Sequence, residues 1–354
     1  MATHLFKALP SVRKGACYMR EFIFIILILC FIGCKKEPSN PDSSDNYQLY
    51  IEEVNATYDK IVKYIEGKDD MRIFSVIADT HFDYGKFDKN IYHAMCYGAY
   101  LLKHEAVIHL GDITTGGVHN YRESESILED FSDHYRRLNS PYYDVCFTYG
   151  NHEWEQTPSG KPVTVSQWEA VVCLESSYYV KQYGADKFIF LNTSDVFYYG
   201  YSNKQVHFLC QELMSAQGRV VIFQHYSIDD TFRWVSYDSA DSYTNMPEVR
   251  NCLEKFAAKQ PFVFRGTTYK FDDTSGKLVA VISGDSHLEG YVKTNGVNYI
   301  CQPGYGGQEQ AVYPNKVTWP PLKFGNIYYD IYVLSDSEIA GFRVGTGKDK
   351  VIKF

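Results

Sequence analysis

The chain has 354 residues, of which 45% are hydrophobic and 22% charged, and its formal net charge is −8. That is the composition of an ordinary folded globular protein, large enough for one large domain or two small ones. With no basic run outside the N-terminus, the charge argues against a nonspecific nucleic-acid binder, and no nucleic-acid partner is expected. Tyrosine is abundant, at 31 residues. Such rings can line sugar or nucleoside sites, but a tyrosine more commonly packs its ring and sends its hydroxyl to water.

In chain order, Phe22 to Ile32 is an apolar run of signal-peptide length, short for a membrane span, with Arg20 before it as the positive flank. Phe31-Ile32-Gly33-Cys34 follows and resembles a bacterial lipobox, in which a small residue precedes a cysteine that is lipidated. Residues 1–34 are therefore read as a lipoprotein signal, with Met19 a candidate true start. An ordinary signal peptide or an N-terminal anchor is the alternative. The expectation is an exported protein held to a membrane through Cys34, periplasmic or on the cell surface. Residues 35–46 are rich in Pro, Ser and Asp and read as a flexible tether. Residues 47–354 then form a single domain. Its six cysteines, Cys96, Cys146, Cys173, Cys210, Cys252 and Cys301, lie scattered in apolar segments, so buried free thiols are expected over a disulfide scaffold.

Tyr47, Tyr50, Ile51, Val54, Tyr58, Ile61, Val62 and Ile65 recur at helical spacing, and Gly67 ends the run. Apolar, strand-like runs follow at Arg72–Ala78, Ala106–Leu110, Asp144–Tyr149, Lys187–Leu191, Val220–Gln224 and Leu278–Ser283. Helical patterns lie between them at Asp88–Lys103, Tyr121–Leu138, Lys204–Ala216 and Pro247–Lys259. This alternation predicts an α/β domain with a mostly buried sheet. Beyond it, Asn295-Gly296 inside Tyr291–Ile300 is a hairpin signal, residues 272–276 form another turn, and Ile327–Leu334 and Glu338–Val344 read as strands.

Five short motifs stand just after apolar runs: Asp79-Thr80-His81, Gly111-Asp112, Gly150-Asn151-His152-Glu153, His225, and Gly284-Asp285-Ser286-His287. Ligands of open α/β sheets gather beyond the carboxyl ends of strands, so the loops of one sheet edge could bring these residues together. Carboxylates, imidazoles and an amide oxygen without thiolate suit Mn, Fe, Zn or Mg and argue against a structural zinc site. Each residue has a bland alternative: Asp79 as a helix N-cap, Asp112 and Asn151 as turn residues, His225 as a satisfied core histidine. Five such coincidences in one order are required if none is a ligand.

The order of these motifs resembles that of the calcineurin-like metallophosphoesterases, over roughly residues 72–307. The resemblance implies a four-layer αββα fold, a two-sheet sandwich flanked by helices, with the strand-rich C-terminal end in the second sheet. It also implies two divalent metal ions. Asp79, His81 and His287 would hold the first, Asp112 would bridge both, and Asn151, His225 and Asp285 would hold the second. A hydroxide between the metals would attack a phosphoric ester. His152 would assist the leaving group, and Glu153 would orient His152. The sequence departs from the family pattern Gly-His-x-His at Asp285, which puts the second metal in question, and at Gln224, where glycine is common. Asp83 and Tyr84 are expected at the cleft rim, and Pro303–Gly307 near the metals. The expected substrate is a phosphorylated small molecule, lipid or sugar, with monoester and diester both open. The remaining histidines match no motif position: His93, His104, His134 and His207 read as helix-surface or packing residues, His109 lies inside a strand, and His119 follows a Gly-Gly loop. The competing function is a tyrosine-rich surface module, its catalysis impaired, that binds glycan or protein.

Overall fold

Strands buried on both faces read as continuous apolar runs, and the alternation hidden inside such runs decides which face each residue takes. In a computed structural model of the chain, β1 (Arg72–Ile77) turns Phe74 and Val76 one way and Ile73 and Ile77 the other. β6 (Arg219–Phe223) does the same, with Val221 and Phe223 facing opposite to Val220 and Ile222. The structure describes residues 44–81, 90–114, 128–129, 142–154, 163–196, 199–232, 243–305 and 327–354. Cys34, most of the tether, Asp83, Tyr84, His119, His134, Gly306 and Gly307, and all but two residues of the helix expected at Tyr121–Leu138, lie outside them.

Two six-stranded sheets form. The first has the order β14-β13-β12-β1-β2-β3, adding β2 (Ala106–His109), β3 (Asp144–Phe147), β12 (Ile327–Leu334), β13 (Glu338–Gly345) and β14 (Lys350–Lys353) to β1. The second has the order β10-β11-β9-β6-β5-β4, with β4 (Tyr179–Tyr183), β5 (Asp186–Phe190), β9 (Lys277–Ser283), β10 (Gly290–Thr294) and β11 (Val297–Cys301). β1, β2 and β3 run parallel, as do β5, β6, β9 and β11. Phe74, Phe188 and Phe223 meet between the sheets, with ring centroids 4.9–5.6 Å apart. The outer face of the first sheet packs with α1 (Ser44–Ile65) and α2 (Asn90–Leu102). The outer face of the second packs with α5 (Asn203–Met214) and α6 (Met246–Ala257), while α3 (Asn151–Trp154) and α4 (Val165–Val171) are short. This is the four-layer sandwich.

The C-terminal strands correct one expectation. Only β10 and β11 extend the second sheet; β12, β13 and β14 join the first, with β12 antiparallel to β1 and Arg72 opposite Leu334. Alternation fixes which residues face inward but not which free edge a hairpin completes. Tyr332, Leu334, Ile339 and Ile352 fill the space between the sheets from that position. β4 escaped the sequence reading because its residues are half-exposed and polar, as on an edge. The short hairpin of β7 (Phe262–Phe264) and β8 (Thr267–Tyr269) turns at Arg265-Gly266. Asn295 and Gly296 both take positive φ, 49° and 85°, as a two-residue hairpin turn requires. All six cysteines of the domain are free thiols, with Cys210 and Cys252 Sγ 3.4 Å apart between α5 and α6.

Behind the C-terminal strands lies a buried ion cluster. Arg343 Nε donates to Asp330 Oδ1 at 2.5 Å, Lys350 Nζ to Asp330 Oδ2 at 2.9 Å, and Arg343 also reaches Glu289 at 3.2 Å. Burial alone would raise the Asp330 carboxyl, but the two cations hold it well below the usual carboxylate range. Glu289 precedes β10, so the cluster ties the two sheets together.

Candidate metal centre

The motifs come together at the carboxyl ends of five strands drawn from both sheets, where a single sheet edge was expected. β1 leads into Asp79 and His81, β2 into Asp112 and β3 into Asn151. From the other sheet, β6 leads into His225 and β9 into Asp285 and His287.

Backbone contacts stitch the ends together. Asp79 N–H donates to Gly111 O at 3.1 Å, His81 N–H to Asp112 O at 3.1 Å, and Gly284 N–H to His225 O at 2.8 Å. Across the sandwich, the Asp285 N–H donates to both Asp79 carboxylate oxygens, at 3.1 and 3.2 Å. Gly111 has φ 93°, and a Cβ there would sit 2.8 Å from Gly150 N and 2.9 Å from His225 Nδ1. Glycine is required at both 111 and 150, since a Cβ on Gly150 would collide with the Asp112 backbone and carboxylate.

Five of the expected ligands have left-handed backbone: Asp79 at φ 52°, His81 at 40°, Asp112 at 53°, Asp285 at 66° and His287 at 52°. Each costs on the order of 1 kcal/mol, and such residues persist where their surroundings over-determine them, typically at functional sites.

Two donor sets form. In the first, Asp79, His81 and His287 offer ligand atoms within 4.8 Å of one another. His81 Nδ1 lies 3.0 Å from Thr114 O, and a carbonyl accepts, so Nδ1 carries the hydrogen and Nε2 is left as the lone-pair nitrogen. That Nε2 faces His287 Nε2 at 3.3 Å. Burial, with His81 close by, pushes the His287 imidazole down to about 3, so the His287 ring is neutral at neutral pH. Two imidazole nitrogens converging beside the buried Asp79 carboxylate suit a cation between them.

In the second set, oxygens surround His225 Nε2: Asn151 Oδ1 at 2.9 Å, Asp112 Oδ1 at 3.1 Å and Asp285 Oδ1 at 3.7 Å. His225 Nδ1 donates to Leu110 O at 2.7 Å, which aims Nε2 at these oxygens. Asp112 stands between the sets. It clusters with Asp79 and His225 on one side and with His81 and His152 on the other. Asp285 is the outermost member, consistent with its departure from the family pattern.

Electrostatics fit cation binding. Burial raises the Asp79 carboxyl well above its usual range, and Asp112 and Asp285 add to the shift. Burial opposes a charged His225, yet Asp112, Asp79 and Asp285 outweigh it and raise its pKa well above the ordinary value. Without metal, His225 therefore keeps a proton at neutral pH. A cation held through its Nε2 would need that lone pair, so its uptake would expel the proton and its affinity would climb as pH rises. Calorimetric titration of Mn²⁺ at neutral pH, in buffers of different ionisation enthalpy, should show proton release. A heat of binding that does not depend on the buffer would contradict this.

Glu153, expected to orient His152, meets backbone N–H groups. Its fully buried carboxylate accepts four backbone N–H groups: Oε1 from Ile113 at 2.6 Å and Thr114 at 3.1 Å, Oε2 from Asp112 at 3.1 Å and Gly150 at 2.8 Å. It fixes the two loops that carry Asp112, Asn151 and His152, and acts on His152 through that backbone. Burial and then Asp112 push its pKa up to about 7. Four donors leave no acceptor for a carboxyl proton, so the carboxylate is the bound form. In Glu153→Gln the amide NH₂ would face two N–H donors. A loss of about 2–3 kcal/mol is expected, read as a lowered Tm of the metal-free protein; an unchanged Tm would contradict it.

His152 is 29% exposed at its side chain, with Nε2 3.7 Å from Asp112 Oδ2, while its backbone N–H donates to Asp112 Oδ1 at 2.9 Å. Sequence reasoning missed Leu110 and Thr114, which orient His225 and His81. Both act through backbone carbonyls, which leave no side-chain signature.

A sequence profile of the calcineurin-like phosphoesterase family matches residues 74–289. No curated protein matches the sequence. Among solved structures, a dimetal phosphatase from Danio rerio is similar with TM-score 0.54 and 15% identity, over 80% of this chain and 98% of that one. A purple acid phosphatase from yellow lupin (Lupinus luteus) seeds is similar with TM-score 0.52 and 14% identity, over 81% of this chain and 54% of that one. At such identities the likeness is one of fold, while the family match spans more than half of the chain and all five motifs. The chain belongs to the calcineurin-like phosphoesterase family.

Proposed function

We propose that this chain is a metal-dependent hydrolase of phosphoric esters. The observation that carries the reading is the convergence of two donor sets that share Asp112. Asp79, His81 and His287 would hold one divalent cation, and Asn151, His225 and Asp285 the other, with Asp112 common to both. The carboxylate, imidazole and amide donors suit Mn, Fe, Zn or Mg, and the dimetal phosphatase among the similar folds agrees with a pair. When bound, the two cations supply Lewis acidity to the phosphoryl oxygens and lower the pKa of a water.

The chain supplies the rest. His81 and His225 present Nε2 because Thr114 and Leu110 hold Nδ1. His152, 29% exposed at its side chain, can donate a proton to the departing oxygen of an ester bound over Asp112. Glu153 keeps the Asp112 and Asn151 loops at fixed spacing. The competing tyrosine-rich surface reading is less favoured: Tyr92, Tyr149, Tyr201, Tyr226, Tyr329 and Tyr332 are fully buried, while Tyr100 and Tyr142 are exposed.

The test is hydrolysis of paired aryl phosphomonoesters and phosphodiesters by Mn-loaded and by chelator-stripped protein. Turnover of at least one class that disappears on stripping and returns with Mn²⁺ is expected. No turnover of either class by metal-loaded protein would contradict the reading.

The N-terminal reading stays with the proposal: export as a lipoprotein anchored through Cys34, acting on phosphorylated small molecules, lipids or sugars. Among the described residues no helix is long and apolar enough to cross a membrane. Labelled fatty acid should enter the wild-type protein and not Cys34→Ser; a wild-type protein that takes up no label contradicts the anchor.

A further inference from the structure

The two Asp-x-His tripeptides, Asp79-Thr80-His81 and Asp285-Ser286-His287, repeat one local design. In each, the acid and the histidine both have left-handed backbone, with φ 52° and 40° in the first and 66° and 52° in the second. The residue between them carries a hydroxyl, and that residue is 3% exposed in both.

Each hydroxyl meets a fully buried side chain from the next strand. Thr80 Oγ1 lies 3.0 Å from His109 Nε2, and Ser286 Oγ lies 3.0 Å from Cys301 Sγ. The placement is equivalent. His109 is the last residue of β2 and pairs with Ile77, three residues before Thr80; Cys301 is the last residue of β11 and pairs with Ser283, three residues before Ser286. One tripeptide belongs to each sheet, so the same arrangement occurs on both sides of the centre.

The first partner is also wired to the Asp112 loop. The Gly111 N–H donates to His109 Nδ1 at 3.1 Å, so the hydrogen of the neutral ring sits on Nε2 and points to Thr80. Burial pushes the His109 pKa down to about 3, and that hydrogen pattern therefore persists at neutral pH. The second partner stays a thiol, its pKa pushed up to about 12 by burial.

We propose that Thr80 with His109, and Ser286 with Cys301, are positioning pairs that hold the two Asp-x-His tripeptides in their left-handed turns and thereby set the donor spacing of the metal centre. None of the four needs to touch a cation. A hydroxyl pinned from behind fixes the backbone between two donors, and the donors then point forward to a common position. The inference rests on the metal reading above.

The test is Mn²⁺ affinity of the full-length protein, measured by competition with a chelating indicator, for the parent, Thr80→Val, Thr80→Ser and Ser286→Ala. Valine keeps the branched shape of threonine and removes the hydroxyl. Thr80→Val and Ser286→Ala should each weaken Mn²⁺ binding roughly 10–100-fold, with circular dichroism close to that of the parent; Thr80→Val, which removes the acceptor of the buried His109 Nε2–H, should also lower the metal-free Tm. Thr80→Ser should recover most of the loss. A parent that binds no Mn²⁺ overturns the metal reading and this inference with it. A parent that binds Mn²⁺ beside a Thr80→Val and a Ser286→Ala of unchanged affinity overturns this inference alone. So does a loss of affinity at Thr80→Val that Thr80→Ser does not restore. Ser286→Ala, which merely removes an atom, keeps the test open should Thr80→Val fail to fold.

Discussion

Asp112→Asn is expected to lower kcat/KM by about a thousandfold or more, equivalent to about 4 kcal/mol of transition-state stabilisation. Asp112 Oδ1 lies 3.1 Å from His225 Nε2 and accepts the His152 N–H, while Oδ2 faces His152 Nε2 at 3.7 Å. Both oxygens are therefore committed to the shared edge of the two donor sets. Asparagine keeps the size and one oxygen, removes the charge and turns an NH₂ group toward one of the sets. A cation on that side loses its bridging ligand. The fold should survive, because asparagine tolerates the left-handed backbone that residue 112 adopts. The experiment compares rate, bound metal and circular dichroism. A folded variant with parental activity and two bound ions would remove Asp112 from the centre.

The second large effect belongs to His152. Its loss should slow esters with poor leaving groups by about 10²–10⁴-fold, as expected for a lost general acid, and activated aryl esters much less. At 29% side-chain exposure, the ring is the part of the motif that a substrate can reach. Alanine preserves the backbone N–H that donates to Asp112 Oδ1, so the metal donors should keep their places. Equal slowing of alkyl and aryl esters, or loss of metal from His152→Ala, would give the ring a ligand or structural role instead.

Much of this was legible in the sequence, for a physical reason. Buried strands must be apolar and donors must be polar, so a donor just beyond a buried strand stands out, as Asp79 does after Arg72–Ile77 and Asp285 does after Lys277–Ser283. The helices at Asn203–Met214 and Met246–Ala257 were legible from their periodicity, and the hairpin at Asn295-Gly296 from its turn chemistry. What escaped was carried by the backbone or by register. The Leu110 and Thr114 carbonyls have no residue-type signature. Whether Ile327–Leu334 pairs with β1 or extends the other sheet is decided by a free edge, which periodicity does not encode. Glu153 stands in the motif, yet three of its four N–H partners, on Asp112, Ile113 and Thr114, belong to a loop that only folding brings to it. In the sequence His109 reads only as a residue inside a strand that matches no motif, whereas in the fold Thr80 and Gly111 converge on it.

The most direct measurement of the central claim is anomalous diffraction from crystals of the protein grown with Mn²⁺. Two anomalous peaks are expected, about 3.5–4 Å apart, with Asp112 between them, Asp79, His81 and His287 around one, and Asn151, His225 and Asp285 around the other. A single peak, or a pair to which Asp112 is not common, would contradict the shared-carboxylate centre.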